Sequence, residues 1–149
     1  MRLVTASHAG DPDRADVQAS VQTVQVDLLC PHRPRTPESP EQTAAKAREV
    51  RAWLGAPGRV VPLHYQEPFR RGFRPQRWEP PAEAFATDLA RARAGGAAGW
   101  CFHNGHQSDR PDGRPRRSFD LRDGPLVARL DAVEQAALAL IQQRGLHRP

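Results

Sequence analysis

The sequence predicts an α/β protein whose strands run parallel. Two observations carry this. Short β-like runs alternate with helical runs of the length that crosses between parallel strands. Proline or glycine then punctuates most of the junctions between them.

The elements follow in chain order. Residues 2–7 (RLVTAS) read as a first strand, and 13–23 as a weak helix or irregular connection. Residues 24–30 (VQVDLLC) form a second strand, stopped by Pro31. A helix is expected over 39–54, with Ser39 as N-cap, Pro40 at the first helical position and Gln42 completing a capping box. Ala47, Val50 and Leu54 repeat at helical spacing, and Gly55 ends the run. Residues 59–66 (RVVPLHYQ) read as a third strand, stopped by Pro68. A helix over 80–94 follows Pro80 and Pro81, buries Phe85, Leu89 and Ala92, and closes at Gly95-Gly96. Residues 97–102 (AAGWCF) read as a fourth strand, with Gly99 allowing close approach of a neighbour. After a loop rich in Arg, Pro, Asp and Gly, a last helix over 124–143 presents Leu126, Leu130, Val133, Ala137 and Leu140, and Gly145 ends it.

Right-handed crossovers place four such strands in one curved sheet in sequence order, with the helices on its outer face. A complete (β/α)8 TIM-type barrel needs eight units and roughly 250 residues. The 149 residues here supply about four. The expectation is one partial-barrel domain over 1–149, or a small open sheet.

Hydrophobic residues make up 38% and charged residues 26%, the balance of an ordinary folded protein and not of a disordered one. No apolar run reaches the ~18 residues of a membrane span. The N-terminus lacks the apolar stretch of a secretory signal, so a cytoplasmic location is the default expectation. The formal charge is +5, with 21 Arg and a single Lys, Lys46. The arginines are spread over loops and helices alike, and no RNP-like, zinc or helix-turn-helix signature accompanies them. Nucleic acid is therefore not the first expected partner, although a nucleic-acid or anionic-ligand binder using 70–77 and 110–117 stays an alternative. Cys30 and Cys101 have no zinc spacing and sit in apolar runs, which favours buried free thiols. His103, His106 and Asp109 share a Gly-rich loop without a second cluster, so no metal and no cofactor are expected.

In parallel α/β proteins function collects at the C-terminal strand ends. Those ends carry Ser7 and His8, then His32, Arg33 and Arg35, then Glu67, then His103 and Asn104. Val61, Leu63, Tyr65 and Glu67 share one face by alternation, which would point Glu67 into the mouth of a barrel. His64, on the other face with Val60 and Pro62, is expected to pack under a helix. Glu67 could also serve only as a rim partner of Arg70 or Arg71, and His32 only as a strand-end cap. Trp53 reads as helix–sheet packing; Trp78 could stack on a sugar or cover the barrel.

HYQEPFR, followed one helix later by GAAGWCFHNG, resembles strands seven and eight of the (β/α)8-barrel glycoside hydrolases of the cellulase-like clan. The resemblance covers most of the chain, as strands five to eight. It implies Glu67 as catalytic nucleophile of a retaining double displacement. His32, Trp100, His103, Asn104 and Trp78 are the expected substrate-binding residues, and carbohydrate the expected partner. The clan's acid/base Glu ends strand four, usually after an Asn, and no Asn-Glu pair occurs here. The chain alone is therefore expected to be inactive, to need a missing N-terminal barrel half, or to self-associate. A non-catalytic carbohydrate-binding remnant is the alternative.

Overall fold

A computed structural model describes residues 3–55, 59–69, 71, 78–103, 122 and 124–147. The element order is β1 (Thr5–His8), α1 (Arg14–Ala19), β2 (Leu28–Pro31), α2 (Ser39–Leu54), β3 (His64–Tyr65), α3 (Ala82–Ala94), β4 (Gly99–Trp100) and α4 (Ala132–Gln143). β1 pairs with β2 and β3 with β4, both parallel. Single parallel bridges, Leu29 to Leu63 and His32 to Glu67, join the two pairs. The strands thus run in sequence order, and the sheet does not close into a barrel among the described residues.

Every strand is shorter than its apolar run. Pro62 has no N–H to donate, although its carbonyl accepts from Leu29 N at 3.1 Å, and Val60 is 92% exposed. The second strand starts later than expected because α1 runs on into a π-turn, Ser20–Val24, leaving Val24 55% exposed. Gln25 then takes the left-handed conformation (φ 58°) that turns the chain toward β2.

Neighbouring helices pack in order, α1 on α2, α2 on α3, and α3 on α4. Beneath them lies a core of Val17, Val26, Leu29, Val50, Leu63 and Tyr65, all nearly inaccessible to water. A second cluster joins Phe69, Phe85 and Ala137. α2 has the expected bounds, but Glu38 occupies the cap position and Ser39 is already helical and buried. The last helix is shorter than expected: Leu126–Arg129 form a 3-10 turn with Leu126 exposed, and α4 begins after Asp131. There Asp131 accepts from Glu134 N and Glu134 accepts from Asp131 N, each at 2.8 Å, a reciprocal capping box. Glu134 is buried, and the buried stripe runs through Leu130, Glu134, Ala137 and Ile141.

The faces of β3 are the reverse of the expectation. Val61, Leu63 and Tyr65 point into the helix layer, and His64 lies on the open face. Alternation fixes which residues travel together, but bulk decides which set meets the helices. The open face is mixed, with Ser7 and His64 beside Leu28 and the buried Cys30, and not the uniformly apolar surface the reversed assignment implies.

Candidate functional site

The C-terminal strand ends meet at Glu67. Arg35, beyond β2, reaches Glu67 Oε1 with its NH2 at 3.2 Å. His32 Nε2 lies 3.8 Å from Glu67 Oε2, and His103 Nε2 lies 3.7 Å from Oε1. A bend at Gln66 interrupts the alternation of β3, so Glu67 turns toward these groups instead of following Tyr65 inward. The carboxylate is one-fifth exposed, which leaves it reachable while its oxygens are oriented from both flanking strands. Ser7 Oγ sits 3.3 Å from His32 Nε2, extending the rim to β1.

Two backbone bonds hold this rim in place. His32 N donates to His8 O and Arg33 N donates to Pro68 O, both at 2.9 Å. They stitch the ends of β1, β2 and β3 together on either side of the His32–Glu67 bridge. The arrangement is a carboxylate between two imidazoles and a guanidinium. It can bind a polyhydroxylated ligand through alternating donors and acceptors, present an ionised nucleophile, or pass protons to the imidazoles.

The other expected site residues divide. Trp100 is not on this rim. It faces the helix layer, where its Nε1 donates to Asp88 Oδ2 at 2.6 Å, because parity places Trp100 and Phe102 together against α3. Trp78 packs edge-on against Phe69, ring centroids 5.4 Å apart, two residues beyond Glu67. Asn104 lies outside the described residues, as do Arg70, His106 and Asp109. Arg71 pairs not with Glu67 but with Asp131 Oδ2 at 3.1 Å and with the Pro80 carbonyl at 3.0 Å. Cys30 is buried as expected, whereas Cys101 is exposed. No group of three or more His, Cys, Asp or Glu side chains is arranged to hold a metal ion among the described residues.

A buried polar network was not visible from sequence. Arg33, at the rim of β2, turns its guanidinium into the protein and forms an ion pair with Asp11. Its Nε donates to Thr43 Oγ1 at 2.9 Å and its NH2 to Ser39 O at 3.0 Å. Thr43 is in turn hydrogen-bonded to Asp88. Burial raises the Asp88 carboxyl from 3.8 to about 6, against the opposing pull of the Thr43 and Trp100 hydrogen bonds and of Arg33. Burial likewise pushes the Tyr65 phenol well above its usual range. The signal that could have found the network is a polar residue on each buried stripe. Thr43 precedes Ala47 and Val50 on α2, and Asp88 lies between Phe85 and Ala92 on α3.

Comparison with known proteins finds no matching family model, no matching curated protein and no matching solved structure.

Proposed function

We propose that the rim around Glu67 is the sugar-binding, nucleophile-bearing side of a retaining glycoside-hydrolase site, carried on part of a (β/α)8 barrel. The observation that supports it is the position of Glu67. It ends the third parallel strand, and His32, Arg35 and His103 address its oxygens from both sides. The barrel reading draws on the winding: strands in unreversed sequence order, with successive helices packed side by side, are what one part of a singly wound barrel requires.

In that chemistry the Glu67 carboxylate attacks the anomeric carbon, and the glycosidic oxygen leaves with a proton from an acid. Water then hydrolyses the glycosyl ester. The acid must stand about 5–5.5 Å from the nucleophile. Asp11 beyond β1 is already engaged by Arg33, and the family's acid belongs to a strand with no counterpart in this sequence. This chain therefore binds sugar without turning it over.

A panel of neutral oligosaccharides titrated against the 149-residue chain tests this. Binding should weaken about tenfold in both Glu67→Gln and His103→Ala, the loss of one charge-assisted hydrogen bond. Aryl glycosides should not be hydrolysed above the buffer rate. Absence of sugar binding, or binding indifferent to both substitutions, rejects the site. Robust turnover rejects the missing-acid argument. The clustering of Arg35, His32 and His103 favours one second reading, an anionic ligand, whose binding would fall steeply with salt.

A further inference from the structure

Away from the rim, the open face of the sheet carries a thiol beside an imidazole. Cys101 is exposed, and its Sγ lies 3.5 Å from His64 Nε2. The strands aim this pair. Cys101 N donates to Tyr65 O at 2.8 Å, fixing the cysteine against β3. Gly99 stands in register with His64, and a Cβ at Gly99 would collide with His64 Cδ2. The imidazole therefore lies across β4 where no larger residue would admit it, with Nε2 toward the thiol. On the other flank, the Leu29–Leu63 bridge sets Cys30 beside His64. Cys30 is buried, and burial first, then Cys101, raises its thiol above the usual value. One cysteine is thus open to solvent next to a base, and the other is enclosed and harder to ionise.

We propose that Cys101 is a nucleophilic, modifiable thiol with His64 as its general base, and that its reactant is a low-molecular-weight disulfide. The Cys101 S–H bond breaks as His64 Nε2 takes the proton, and Sγ bonds to one sulfur of the disulfide. The reactant's S–S bond breaks, and the departing thiolate takes the proton back from the imidazolium. One disulfide is consumed, one mixed disulfide forms and one thiol is released, with no net oxidation. The imidazole acts on the proton in flight, as in other thiol–imidazole pairs.

Dipyridyl disulfide added to the native full chain, with thiopyridone release followed and peptides mapped by mass, tests the assignment. One equivalent should react fast and map to Cys101, and the second, on Cys30, only after denaturation. A positioned base contributes about 10²–10⁴-fold. Native Cys101 should accordingly outpace the same residue in the urea-unfolded chain by at least about tenfold. His64→Gln should lose that excess while its melting is preserved. If His64→Gln does not fold, the native-to-unfolded ratio alone decides. Native Cys101 reacting no faster than when unfolded, Cys30 labelling alongside it, or a folded His64→Gln with undiminished rate each overturns the proposal.

Discussion

Asp88 is a carboxyl enclosed by Thr43, Trp100 and, further off, the Arg33–Asp11 pair. Its folded-state value, about 6, lies above the ordinary 3.8. The native protein therefore holds this proton to higher pH than the unfolded chain does. The stability this contributes is complete below pH ~4 and is lost as pH rises through about 6. Relative to wild type, Asp88→Asn should gain on the order of 3 kcal/mol between pH 4 and pH 7, read from paired urea titrations. A constant difference across that range would show that Asp88 titrates normally. This residue also marks what the sequence concealed. Its place between Phe85 and Ala92 put it on the buried stripe of α3, but its partners Thr43 and Trp100 come from other elements and were not readable locally. Glu67, by contrast, was legible. Parallel strands gather their C-terminal ends, so His32, Glu67 and His103 had to share a rim wherever their side chains finally turned.

At the scale of elements, the helices were more legible than the strands. The repeat of Ala47, Val50 and Leu54 is local, and α2 spans the expected residues, Ser39–Leu54. Strand length depends on partners distant in sequence and on which residues keep an N–H to donate, so β3 shrinks to two residues beside Pro62. Gly95, just after α3, packs closely against α2. A Cβ there would stand 2.5 Å from Ala47 Cβ and 2.8 Å from Ala44 O, inside the surface of α2. Gly95→Ala should destabilise the fold by about 1–3 kcal/mol, the cost of overpacking, measured as a lowered urea midpoint. The open-space position Gly10 is the control, because an alanine there meets nothing within 4 Å.

For the whole molecule, the sheet ends on two strands that each have one neighbour among the described residues, β1 and β4. Leu3 and Val4, at the β1 edge, are exposed. An open parallel edge with apolar flanks is a template for another strand. Sedimentation velocity should show association that increases with concentration, and Val4→Lys should reduce it. Monomeric behaviour at every concentration would mean that the edge is already covered.

Arg33 gives the rim a further property. Its side chain leaves β2 between His32 and Arg35, both of which address Glu67, and is anchored on α2 through Thr43 and the Ser39 carbonyl. Its backbone N–H is meanwhile held by Pro68 O, one residue past Glu67. One arginine thus ties the floor of the site to the longest helix, so the rim cannot open locally without withdrawing a buried guanidinium from its partners. In amide hydrogen exchange, the His32 and Arg33 protons should exchange with those of α2 as one cooperative unit and not with the faster set of surface loops. The ligand would then meet a site already assembled before it arrives, and binding would carry little ordering entropy.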